Sequence, residues 1–173
     1  DSNGSTSAIS ATGTITGGAW TSAAVDISSL DDGTLSVSIS VSDLAGNPVS
    51  TSANIELDNS TPVISTVALI TNNATNNQHG ADGNTVTLTM NFDDDLTSAP
   101  TVSFFSGGNA VADGITYAET ADSPDTWTAT YDVDGSSDTE GNVTFTIDFT
   151  DDAGNAGTQV TSVTDGSSVE IDF

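Results

Sequence analysis

The sequence lacks three residue types altogether: its 173 residues include no Lys, no Arg and no Cys. Without Cys, disulfides, zinc–thiolate sites and cysteine nucleophiles are excluded. Without Lys and Arg, the main source of affinity for nucleic-acid phosphates is missing. We therefore expect no nucleic-acid partner and no direct contact with an anionic membrane surface.

Long apolar runs are missing as well. No segment approaches the ~20 consecutive apolar residues of a membrane-spanning helix. The first ten residues are polar and carry none of the basic residues that open a signal peptide. We expect the chain to be a mature or internal piece of a longer protein.

Acidic residues dominate the charge: 25 Asp and Glu stand against a single His, which gives a formal charge of −25. Such a charge destabilises compact states through self-repulsion. Bound divalent cations or a saline medium would offset it, and intrinsic disorder is the third interpretation. The pattern along the chain argues against disorder.

Apolar and polar residues alternate with period two in several runs. Val86, Leu88, Met90 and Phe92, for example, are separated by Thr and Asn. Successive strand residues point to opposite faces, so such runs predict strands with one core face and one solvated face. Turns rich in Gly, Asn and Asp separate the runs, which is typical of an antiparallel sandwich. The predicted strands lie near 12–16, 19–27, 33–42, 48–57, 63–71, 84–92, 100–105, 114–119, 125–133, 142–150 and 157–171.

An internal repeat divides the chain. The sequence Asp-Leu-Ala-Gly-Asn at 43–47 returns as Asp-Asp-Ala-Gly-Asn at 151–155, an offset of 108 residues, and the preceding strand repeats in register. A period of this length fits one immunoglobulin-sized module. We predict a complete module at 61–173 and the C-terminal half of another at 1–60. The front strands of that half are missing or are supplied by another copy.

The residues resemble tandem bacterial Ig-like repeats of large extracellular adhesins. The resemblance is carried by Leu30–Leu35, by the hairpin at 41–47, by the linker Leu57-Asp58-Asn59-Ser60-Thr61-Pro62 and by the stretch 145–160. It implies an all-β fold of tandem Ig-like antiparallel β-sandwiches of Greek-key type. It also implies an extracellular or cell-surface location on a bacterium, and Ca²⁺ at or near domain junctions.

In an Ig-type sandwich three acidic segments would converge where one module follows another. Ca²⁺ takes six to eight oxygen ligands, and no basic side chain competes for these carboxylates. We therefore expect Ca²⁺ as the cofactor, while ordinary acidic turns are the alternative interpretation. The candidate ligands are Asp58, Asn59, Asp93, Asp94, Asp95, Asp151, Asp152 and Asn155.

Weaker metal candidates lie in other acidic turns, and none of them belongs to an EF-hand pattern. They are Asp31, Asp32, Asp43, Asn47 and Asp172, together with the loop that carries Asp134, Asp138 and Glu140.

Catalysis is not expected. His79 is the single imidazole, we place it in a loop, and no nucleophile-elbow pattern accompanies it. Trp20 and Trp127 recur at equivalent repeat positions, so we predict that both pack in cores. Met90 continues an apolar stripe and is also predicted to be buried.

The sequence therefore predicts a non-enzymatic extender segment of a cell-surface, biofilm-type adhesin, with neighbouring repeats of the same chain or of identical copies as partners. A first alternative is an extracellular filament subunit completed by strand donation between copies. A second is a sugar- or ice-binding module, for which Thr85, Thr87 and Thr89 would supply a regular face.

Overall fold

The computed structural model describes residues 9–120 and 123–173, and every element in them is a β-strand. The chain divides into two compact units, Asp1–Ser60 and Thr61–Phe173. The first eight residues of the predicted 1–60 module lie outside the described residues. No helix in the described part of the chain has the length and hydropathy needed to cross a membrane.

The second unit contains two sheets. The four-stranded sheet has the order β10 (Thr116–Thr120), β11 (Ser123–Asp132), β7 (Thr85–Phe92) and β5 (Ile64–Thr71). The five-stranded sheet has the order β6 (His79–Gly80), β13 (Glu170–Ile171), β12 (Gly141–Asp148), β8 (Thr101–Ser106) and β9 (Asn109–Ala110). All neighbours are antiparallel except β13 and β6, which are parallel.

The core of the second unit lies between these sheets. Apolar residues at alternate positions of β5, β7, β8, β11 and β12 are buried, which confirms the period-two prediction and the burial of Met90. Phe104 of β8 contacts Tyr131 of β11 with ring centroids 4.9 Å apart, so side chains of the two sheets interdigitate. The fold is all-β and of the β-sandwich kind.

The first unit consists of two separate hairpins in its described residues. β1 (Gly13–Thr16) pairs with β2 (Ala19–Ser22), and β3 (Gly33–Ser42) pairs with β4 (Pro48–Leu57) over ten residues. None of the buried apolar residues of the chain belongs to this unit, among the residues described.

Several predictions of local structure were wrong. The strand expected at 157–171 is reduced to β13 and an isolated bridge between Ile147 and Val160. The strand expected at 19–27 ends at Ser22. His79 lies in a two-residue strand, because its main chain pairs with Glu170 of β13.

The two tryptophans differ in their burial. Trp127 packs partly buried against the core of the second unit, as predicted. Trp20 is 38% exposed, so the prediction of core burial was wrong for it. Among the described residues of the first unit, Trp20 lines an open groove with Ile39 and Val41 of β3, which leaves its side chain partly exposed.

Candidate metal centre

Asp151 lies in the hairpin that follows β12, and its side chain is completely buried. Its Oδ1 accepts a hydrogen bond from the backbone N–H of Asn155 at 2.7 Å, and its Oδ2 accepts one from the Asn155 side-chain amide at 3.0 Å. A left-handed φ of 97° at Gly154 closes the turn, a conformation that favours glycine. Hydrogen bonds within the hairpin therefore hold both carboxylate oxygens of Asp151 in place.

Opposing effects act on the pKa of Asp151. Burial by itself raises it, but the hydrogen bonds from Asn155 and from the backbone of Gly154 and Ala153 outweigh burial and hold the pKa below its usual value. Asp151 is consequently ionised at neutral pH. Each carboxylate oxygen has two lone-pair sites, so it can accept more than one hydrogen bond or bind a metal ion.

The acidic loop after β7 is fastened to this hairpin. The Oγ1 of Thr97 donates to the carbonyl oxygen of Asp151 at 2.6 Å, and the backbone N–H of Asp152 donates to the carbonyl of Asp95 at 3.2 Å. Leu96 also forms a bridge with Asp151. These contacts hold the loop that carries Asp94 beside the Asp151 hairpin.

Asp94 and Asp151 offer carboxylate oxygens within 4.8 Å of one another. Two oxygens on opposite sides of a Ca²⁺ ion, each about 2.4 Å from it, are separated by about that distance. Because the chain contains no Lys or Arg, no side-chain ammonium or guanidinium competes with a metal ion for these oxygens. The pair therefore suits a hard divalent cation.

Asp94 and Asp151 of the second unit are two acidic candidate ligands that could share a metal ion. Asp58 lies at the end of the first unit, three residues before Thr61. The contacts that place Asp94 and Asp151 lie within the second unit.

The other strong candidates have different roles. Asp93 is exposed, and its Oδ1 accepts a hydrogen bond from the backbone N–H of Val63 at 2.6 Å. Asp95 and Asp152 are exposed, and their main chains join the loop to the hairpin. The Asn155 side chain orients Asp151 by donating to it.

The linker residue Asn59 belongs to an arrangement around Asp32 of the first unit. The backbone N–H of Asn59 donates to Asp32 Oδ1 at 2.7 Å, and the Ser60 hydroxyl donates to Oδ2 at 2.5 Å. These hydrogen bonds, that from Ser60 above all, lower the pKa of Asp32. Asp32 therefore fastens the segment that leads out of the first unit.

Among the described residues, the weaker candidates are not brought together into a set of three. Asp43 accepts hydrogen bonds from Asn47 and Ala45 in an exposed hairpin built like that of Asp151. Asp31 and Asp172 are exposed as well. In the loop after β11, Asp134 accepts from Ser136, and burial raises the pKa of Asp138.

One buried polar arrangement escaped the sequence interpretation. The Tyr131 hydroxyl and Asp138 Oδ1 are buried without a hydrogen-bond partner. Burial and the nearby charge of Asp138 raise the pKa of Tyr131. The strand predicted near 125–133 includes Tyr131, but nothing in the sequence indicated that Asp138 would lie beside it.

No protein-family model, curated protein or solved structure matches this chain. The resemblance to adhesin repeats is thus an interpretation of its motifs.

Proposed function

We propose that this chain is a non-enzymatic extender segment of a large bacterial cell-surface adhesin. Tandem Ig-like β-sandwich repeats, rigidified by Ca²⁺, would hold a distal binding domain away from the cell. The observation that carries the proposal is the recurrence of one hairpin. Asp43–Asn47 and Asp151–Asn155 make the same carboxylate-to-amide hydrogen bonds in successive units.

Repetition of a structural unit along a chain supports a role in setting how far the protein extends. Repeat proteins place each unit next to its sequence neighbours, so the number of units sets the reach. The solvated strand faces rich in Ser and Thr, and the large negative charge, disfavour association between exposed sheet edges of neighbouring repeats.

Calcium enters the proposal through Asp94 and Asp151. In a chain of charge −25, a divalent ion between them would remove their mutual repulsion. Asp58, a residue of the linker, is the further candidate ligand that the sequence predicts. An ion held by both the linker and the second unit would restrict motion between repeats.

The test is a Ca²⁺ titration with EDTA as reference, followed by thermal unfolding and small-angle X-ray scattering. An ion that binds only the folded state, at 100 times its Kd, adds about 2.7 kcal/mol of stability. We expect a higher unfolding temperature and a longer, stiffer particle with Ca²⁺. Identical melting curves and scattering profiles in Ca²⁺ and EDTA would remove calcium from the proposal.

A matched pair of variants assigns the effect to the site. Asp94→Asn removes one candidate ligand charge, whereas Asp165→Asn removes an exposed charge of the same unit whose Oδ1 accepts from the backbone of Ser167. We expect Asp94→Asn to lose most of the Ca²⁺-dependent stabilisation and Asp165→Asn to keep it. Equal losses in both variants would indicate general charge screening instead.

A filament subunit completed by strand donation is the second candidate. The observation that favours it is the exposed apolar face of β3 and β4. Electron microscopy and sedimentation at increasing protein concentration test it: fibres support the filament, and a monomer at all concentrations contradicts it.

A further inference from the structure

The β3–β4 hairpin has one apolar face and one polar face. Directly opposed residues share a face, and the register opposes Leu35 to Ile55, Val37 to Ala53 and Val41 to Val49. The other face carries Ser, Thr and Asn, with Glu56 as the single acidic residue of both strands. On the apolar face Val37 is 43% and Val49 67% exposed. We therefore expect the apolar face of this two-stranded ribbon to be covered by other protein residues.

The second unit shows what covers the equivalent residues. At the repeat offset of 108 residues, Leu35, Val37, Ile39 and Val41 correspond to Val143, Phe145, Ile147 and Phe149, all of which are buried. Ile39 is 37% exposed, whereas Ile147 has no exposed surface. The apolar residues of β3 in the first unit are therefore exposed, whereas the equivalent residues in the second unit are buried in the core.

The sheet orders explain the difference. Within the second unit β12 pairs with β8, and β11 pairs with β7. Without β5 to β9, its sheets would reduce to β10–β11 and β13–β12. The first unit has that reduced form in its described residues: β1–β2 and β3–β4. Among the described residues of the first unit, β5 to β9 have no counterpart.

A groove marks where such a strand would enter. It runs along β3 and is lined by Ile39 and Val41 on one side and by Ile15 and Trp20 of the β1–β2 hairpin on the other. None of its lining residues is acidic. In a chain with 25 acidic residues, an uncharged groove along a strand edge favours an apolar, strand-forming occupant.

We propose that the first unit is completed by a strand-forming segment of the same polypeptide ahead of β1, which pairs with β2 and β3 and covers the apolar face. In the second unit the strands that fill this place are contiguous and come directly before β10, which pairs with β11 as β1 pairs with β2. The segment would have the alternating Thr and apolar character of β7 and β8. The inference rests on the tandem-repeat arrangement proposed above.

A second copy of the chain is a poorer occupant. Its own β5, β7 and β8 carry buried residues of the second-unit core, and releasing them would expose that core. Two copies would also bring together two charges of −25.

The experiment adds a second copy of residues 61–111 directly ahead of residue 9. Five residues then separate the added β9 from β1, as five separate β9 from β10 in the second unit. The chain also carries Trp127→Phe, so that Trp20 is its single tryptophan and reports the fluorescence. The matched control has Val102→Asp and Phe104→Asp in the added copy alone, at positions that face the core in β8.

We expect Trp20 emission to shift to shorter wavelength in the extended chain and its β3 amides to be protected from hydrogen exchange. The control should show neither change.

As a second measurement, a peptide of residues 99–108 added to the unextended chain should protect the same amides. The proposal is overturned if extended chain and control behave alike, or if neither addition protects β3. It is also overturned if the unextended chain buries Trp20 by dimerising, which would make a second copy the occupant. None of these readouts involves Ca²⁺ or particle length, so failure here is distinct from failure of the extender proposal.

Discussion

Asp43 and Asp151 occupy the same position of the repeated hairpin, yet only Asp151 is enclosed by protein. Both accept hydrogen bonds from the asparagine four residues later, and these bonds lower the pKa of each. The Asp-x-Ala-Gly-Asn sequence is therefore sufficient for the hydrogen bonds. Burial, and with it the proximity to Asp94, comes from the loop after β7.

The variant Asp151→Asn should destabilise the second unit by about 1–3 kcal/mol in EDTA, because a buried amide would then face the donors of Asn155. The folded pKa of Asp151 lies below the unfolded value of about 3.9. Its contribution is thus present above that pH and is lost as the pH falls through the folded pKa. Urea unfolding of both proteins from pH 6 to pH 2 should show their difference in unfolding free energy shrinking below about pH 4. A difference that does not change with pH would contradict this.

Gly157 should not tolerate a side chain. A Cβ at this position would overlap the ring of Phe149, which is buried and packs edge-on against Phe92. We expect Gly157→Ala to cost about 1–3 kcal/mol through overpacking, measured by urea unfolding. Gly114 is the control, because open space surrounds its Cβ position; Gly114→Ala should leave stability unchanged or slightly raised. Equal stability of the two variants would be inconsistent with this packing.

At the scale of elements, strands with a clear alternating pattern were predicted within about two residues. β3, β4, β5, β7 and β12 are examples, because the pattern is written locally in each. β6 and β9 have two residues each, too few to show a period. The segment 157–171 failed for another reason: its pairing with β12 is limited to a bridge and a two-residue strand, and long-range contacts decide such pairings.

Ile39 and Ile147 offer a direct test of the difference between the two units. We expect Ile147→Ala to cost about 2–5 kcal/mol, because it leaves a cavity in the core. Ile39→Ala should cost less than about 1 kcal/mol, since its side chain already contacts water. Hydrogen exchange resolved by residue would follow each unit separately. Comparable losses at both positions would show that β3 is covered in solution.

For the whole molecule, net charge is the dominant physical feature. Screening shortens the range of repulsion from about 30 Å at 0.01 M salt to 3 Å at 1 M. We expect the unfolding temperature to rise with NaCl, as repulsion within the folded chain weakens. At equal ionic strength, CaCl₂ should raise it further than MgCl₂, because Mg²⁺ keeps its waters and demands octahedral geometry. Equal effects of all three salts would indicate screening without a specific site.

The sequence by itself determined the strand pattern, the repeat, the hydrogen-bonded Asp hairpins and the excess of negative charge, because each depends on residues close in the chain or on composition. It also indicated Asp94 and Asp151 as candidate ligands. Only the tertiary structure decided which of the repeated elements is buried. Burial depends on which strands lie opposite an apolar face, and for this reason Ile147 and Asp151 are enclosed while Ile39, Trp20 and Asp43 face solvent.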